Sequence, residues 1–234
     1  MKRCHRKAAF TLIELLVVIA IIAIVAAILF PVFARAKASA KKTVAMSNLA
    51  QIGKSEHLYL GDNEDCLPFR YGDLPCWPGY DMIFIIISDS DPMIDAYSPY
   101  IKNRDLWYSP EDRATKKGLS SFAFNDQLSY SWSMSEIPRP SEAIYMMDRA
   151  ENGLVPNQPP ANVYFWWTFI SNHPFAESKL PDTLVPANVV NQVSPNRYVG
   201  KVALYQFLDS HVKAMKFDQT WGDQRTNLHL ATKP

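Results

Sequence analysis

From Leu15 to Phe33 the chain runs 19 residues without a charge, and Glu14 stands immediately before the run. As a helix at ~1.5 Å per residue the run is about 28 Å long, close to the thickness of a bilayer's hydrocarbon core. The segment can therefore cross a membrane, and this limits the chain more than any other feature. Lys2, Arg3, Arg6 and Lys7 form a basic leader before it, and Arg35, Lys37, Lys41 and Lys42 follow it. The two flanks balance, so the charge rule for orientation leaves the topology open. The competing reading is a cleaved secretory signal, with Ala34-Arg35-Ala36 imitating the cleavage site. Such signals have apolar regions of only about 7 to 15 residues, shorter than this one.

Glu14 is out of place in an apolar span. An ionised carboxylate there costs several kcal/mol unless it finds a partner, which makes it a candidate functional residue. If the chain is cut between Ala9 and Phe10, the new amine of Phe10 lies four residues before Glu14, on the same helix face. The carboxylate then neutralises its own amine, or that of a neighbouring subunit.

The stretch Phe10-Thr11-Leu12-Ile13-Glu14, behind a basic leader and ahead of a long apolar helix, resembles the processing site of type IV pilins and type II secretion pseudopilins. That family has Gly before the cut where this chain has Ala9, itself small. The resemblance implies removal of residues 1–9 by prepilin peptidase, N-methylation of Phe10, and an N-terminus-in, single-pass placement in the bacterial inner membrane with the C-terminal domain exported. It implies that Glu14 pairs with the Phe10 amine of an adjacent subunit during filament assembly. The implied partners are prepilin peptidase, identical or related pilin subunits and an inner-membrane assembly platform.

Pro31 removes an amide that would bond the carbonyl of Ala27, which kinks or breaks a helix. Similar prolines occur in pilin helices; a simple end to the membrane span is the alternative. Beyond it, Ala36, Ala40, Val44, Ser47, Leu49 and Ile52 recur at helical spacing, and Gly61-Asp62-Asn63 reads as a stop. One helix over 10–60 is expected, with residues 12–33 in the membrane and the second half lying on a domain formed by 61–234. Ser47 to Gly53, Pro99 to Asn103, Ser109-Pro110-Glu111-Asp112, Arg197-Tyr198 and Asp209-Ser210-His211-Val212 resemble segments of the large pilin-like proteins named for a C-terminal His-spacer-Asp-Gly signature. The last of these has Ser210 where the signature has Gly, and the second-last has Tyr198 where it has His.

The domain is rich in aromatics and has 17 Pro against 8 Gly, a composition for a folded, loop-rich α+β domain rather than a disordered one. Strands are expected at 82–87, 121–124, 129–133, 143–147, 163–170, 202–208 and 212–217, the last two forming a hairpin that turns at Asp209-Ser210, with a short helix at 93–101. The fold class is thus α+β, a long N-terminal helix packed on an antiparallel β-sheet domain. A net charge of +1 gives no support for nucleic-acid binding. Cys66 and Cys76 close a small disulfide loop if the domain is exported, or stand as two unpaired thiols. No metal-ligand spacing and no catalytic constellation is found among the five His, so neither a metal site nor an enzyme is expected. The acidic clusters at 62–65 and 89–95 offer oxygens for calcium, against a reading as solvated turns and caps. Tyr164-Phe165-Trp166-Trp167 is either a strand buried on both sides or one exposing a glycan-binding or subunit-contact face. A structural filament subunit is the leading expectation, ahead of a membrane-anchored surface module that binds glycan or calcium, and of an anchored enzyme.

Overall fold

The structure is a computed structural model that describes residues 11–68, 92–112, 120–125, 128, 133–150, 163–164 and 193–220. Helix α1 spans Leu12–Asp62. Its 51 residues measure about 77 Å at the usual rise per residue. The helix carries Pro31 in its interior and continues helically on both sides, so neither a break nor a helix end occurs there. From Leu12 to Phe33 its large apolar side chains are exposed, and nothing among the described residues covers the membrane-compatible stretch.

Burial against the domain begins at Ala45. Ala45, Leu49, Ile52, Gly53, Ser55, Glu56 and Leu60 are buried, one face at spacings of three and four. The expected stripe through Ala36, Ala40, Val44 and Ser47 is solvent-facing instead. Upstream of Ala45 the helix has no buried residue, although Lys41 reaches Glu111 of the domain at 3.4 Å, and the buried face lies one position round, where it includes Glu56. The helix ends one turn after Tyr59. Glu64 and Asp65 both take left-handed backbone, φ 56° and 59°, and so turn the chain away; Gly61 is still helical.

A short helix α2, Pro92–Tyr97, and a 3-10 turn, Arg104–Trp107, lead into the sheet. Its strands are β1 Phe122–Asn125, β2 Ile144–Asp148, β3 Val163–Tyr164, β4 Ala203–Phe207 and β5 Val212–Met215, in the order β3-β1-β2-β4-β5. Four strands pair antiparallel as expected. The exception is β3, which lies parallel to β1 through Phe124–Val163 and Asn125–Tyr164. The expected strand at 82–87, most of those at 129–133 and 163–170, and the Phe165-Trp166-Trp167 run fall outside the described residues.

Alternation along the strands divides the core in two. Leu204 and Leu208 of the β4 segment, with Phe122 and Phe124 of β1, join Leu49 and Ile52 of α1 in one cluster. Ala203, Tyr205 and Phe207 pack on the far face with Ala123, Ile144 and Met147. Between Ile144 and Met146 the register of β2 on β4 slips by one residue, a bulge whose extra residue is Tyr145. Tyr145 thereby turns to the helix side, where its hydroxyl meets that of Tyr97 at 2.6 Å. Tyr97 itself stacks on Trp107 and Phe124 and meets Tyr59 of α1 edge-on.

Candidate assembly site and the buried polar contacts of the domain

The first turn of α1 is closed by its own side chains. Thr11 is extended, and its Oγ1 accepts from the Glu14 amide at 3.2 Å. Glu14 Oε2 in return accepts from the Thr11 amide and from the Thr11 hydroxyl, both at 2.8 Å. This reciprocal capping box satisfies amides that a helix start otherwise leaves unpaired. The Thr-x-x-Glu spacing is its sequence signal. Glu14 thus has a local partner within the single chain, in an exposed position. Ala9 and Phe10, the expected processing pair, lie outside the described residues.

Further along, α1 is fastened to the sheet by a polar contact. Gln206 of β4 points to the helix side, and its Nε2 donates to Glu56 Oε2 at 2.6 Å. Glu56 is fully buried, which pushes its carboxyl well above the usual carboxylate range; the Gln206 hydrogen bond opposes this and the nearby Asp209 reinforces it. Neither Glu56 Oε1 nor Gln206 Oε1 has a hydrogen-bond partner. A neutral acid side by side with an amide is the protonation state such a pair accommodates, because the carboxyl proton is a donor that the ionised form lacks.

One turn earlier, Gly53 sits against the β4–β5 hairpin. A Cβ added at Gly53 would fall 2.8 Å from Gln206 Nε2 and 2.9 Å from Ser210 Cβ, closer than real Cβ atoms approach. Only glycine lets the helix lie this low. The hairpin loop Leu208-Asp209-Ser210 closes with Ser210 in left-handed backbone, φ 65°, its amide donating to the Phe207 carbonyl. His211 pairs with Asp209 through Nδ1 and stacks on Phe207 at 4.2 Å. Asp209 and His211 therefore shape the turn.

A second polar contact ties loops to the C-terminal end of the central strand β2. Asp112 Oδ2 lies 3.5 Å from Arg149 Nη2 and 3.6 Å from Arg197 Nη1, and the latter is 3.5 Å from Asp148 Oδ1. All four side chains are shielded from water, at 0–1% exposure. Two arginines and two aspartates cancel formally. Asp148 also accepts from the Leu204 amide at 2.7 Å and from the Tyr198 hydroxyl at 3.1 Å, and Tyr198 reaches Ser109 Oγ at 2.9 Å. Burial pushes the Asp148 carboxyl up to about 6 against the pull of Arg197 and the Leu204 amide, and burial likewise raises the Tyr198 phenol. Arg149 Nε donates to the Ser120 carbonyl at 2.5 Å, and Arg197 to the carbonyls of Ser121 and Arg149. Four of the five sequence segments with the weaker resemblance thus meet in pairs: Ser109–Asp112 with Arg197-Tyr198, and Ser47–Gly53 with Asp209–Val212. Asp148 and Arg149 escaped the sequence reading; the signal for them was an Asp-Arg pair ending an otherwise apolar strand.

Cys66 is a half-exposed free thiol whose backbone bridges Ser133; Cys76 lies outside the described residues. Among the described residues no group of three or more His, Cys, Asp or Glu is arranged to hold a metal. In the 62–65 cluster, Asp62 Oδ2 accepts from the Tyr100 hydroxyl and Asn63 Nδ2 donates to the Tyr59 carbonyl.

Comparison with curated proteins and with solved structures returned no match for this chain. Residues 4–30 match the family described as the prokaryotic N-terminal methylation motif. The chain therefore carries a pilin-like N-terminus of the kind that prepilin peptidase processes, continued by a helix able to anchor it in a bacterial membrane.

Proposed function

We propose that the chain is a structural subunit of a type IV pilus-like or type II secretion pseudopilus filament, cut before Phe10 and assembled through α1. The observation that carries this reading is the union of the methylation motif over 4–30 with a helix whose apolar half packs against nothing among the described residues. Such a surface is stable only in lipid or against other apolar helices, and a subunit that moves from one to the other needs both. Glu14 sets the register in that second environment, because a carboxylate left unpaired among apolar helices is costly. Membership of the subgroup named for the His-spacer-Asp-Gly signature is supported by the pairwise meeting of the matching segments. A Glu14→Ala chain tests the role: insertion and cleavage persist while incorporation into filaments is lost, and normal incorporation contradicts it.

A further inference from the structure

The apolar span is followed by a belt of charge of one sign. Between Glu14 and Glu56 the chain has no Asp or Glu, yet it has Arg35, Lys37, Lys41, Lys42 and Lys54. The helix is continuous through all of them, so their heights above Phe33 follow from its rise. Arg35 and Lys37 stand roughly 3 and 6 Å beyond Phe33 and Lys42 about 14 Å beyond, whereas Lys54 stands about 32 Å away. A headgroup layer is on the order of 5–8 Å deep per leaflet, and a lysine or arginine stem bends back by several ångströms. Arg35, Lys37 and Lys42 therefore reach phosphate height while Lys54 does not. Lys41 is held by Glu111 of the domain at 3.4 Å. Among the described residues no carboxylate pairs with Arg35, Lys37 or Lys42, and Arg35 and Lys37 are exposed. The belt also falls before Ala45, the first buried residue of α1, with Lys42 half-buried and Arg35 and Lys37 exposed.

We propose that Arg35, Lys37 and Lys42 form a binding surface for anionic phospholipid headgroups on the leaflet beside the domain. The inference rests on α1 being a membrane anchor. The occupant is set by charge and height together: a row of uncompensated cations, continuous with an apolar span, at the level where a bilayer offers phosphates. Lys41, spent on Glu111, fixes the domain just above this surface. Each cation near an anionic surface contributes roughly a fivefold preference, so three give on the order of 10- to 100-fold, diminished by salt.

The test uses the full chain in detergent, titrated with phosphatidylglycerol or phosphatidylcholine and followed by native mass spectrometry. Retention of phosphatidylglycerol at roughly 10- to 100-fold lower lipid concentration is expected. The Arg35→Gln/Lys37→Gln/Lys42→Gln chain should lose that preference and Lys54→Gln should keep it. Equal retention of the two lipids, or a preference that survives the triple substitution, overturns the proposal. So do crosslinks from Lys42 to Glu64 or Asp65 of a second copy in phosphatidylcholine vesicles, which assign the belt to subunit contacts. Alkaline extraction of vesicles separates the two levels: a chain released from every vesicle refutes the anchor, whereas one retained without lipid preference refutes the belt alone.

Discussion

Glu56 of α1 and Gln206 of β4, 150 positions apart in the chain, share a 2.6 Å hydrogen bond in the buried seam between helix and sheet. This bond, with Gly53 beside it, lies where the apolar face of α1 packs on the sheet.

Because burial raises the folded-state pKa of Glu56 above 4.5, its contribution to stability is complete below about 4.5 and is lost as pH rises through the raised value. Glu56→Gln keeps the shape and removes the charge. Thermal melting of the full chain in detergent should show this variant at least as stable as the parent at pH 7, with a smaller fall in Tm between pH 5 and pH 8. Gln206→Ala removes the donor and should cost about 1–3 kcal/mol at neutral pH.

The contact of Gly53 with Ser210 predicts opposite signs for two small changes. Gly53→Ala gains up to about 1 kcal/mol of helix propensity but forces the hairpin outward, for a net loss of about 1–2 kcal/mol. Ser210→Gly relieves left-handed backbone and should stabilise by about 0.5–1 kcal/mol. Denaturant midpoints of the two variants, compared at a common slope, decide both.

In the buried ion cluster, Arg197→Met leaves two aspartates facing one arginine and should cost about 3–5 kcal/mol. Adding Asp112→Leu restores charge balance, so the double variant should be more stable than Arg197→Met alone. A double variant less stable than the single would show that the cluster does not act as a unit. The measurement is equilibrium unfolding followed by tryptophan fluorescence, with Trp107 as a buried reporter.

The capping box separates two roles of Glu14. Thr11→Ala breaks the cap at a cost of about 1 kcal/mol to the helix start but leaves the carboxylate in place. Filament incorporation should therefore persist in Thr11→Ala and fail in Glu14→Ala. Equal failure of both would make Glu14 a cap and no more. Immunoblots of sheared surface fractions or of crosslinked membranes read the difference.

The anchor was legible because its signals are local: an unbroken apolar run, a five-residue motif and strands such as β2 and β4 written as short apolar stretches. The α+β plan and the turn at Asp209-Ser210 followed from the same kind of reading. Glu56 was not legible. In Lys54-Ser55-Glu56-His57 it reads as solvent-facing, and its burial depends on Gln206 far along the chain. The stripe through Val44 was misplaced for the same reason: periodicity gives a face, but where the domain begins to cover it is a tertiary fact. The parallel β3 has no local mark that distinguishes it from an antiparallel strand. The charges of Asp112, Asp148, Arg149 and Arg197 come from three separate segments and only together form a balanced site.

On the proposed function, α1 of the mature protein begins at a processed Phe10. Mass spectrometry of the N-terminal peptide of the native protein tests it most directly. A terminus at Phe10 carrying an added methyl group is expected; an intact Met1, or a terminus at Lys37 from signal cleavage, would overturn the proposed function.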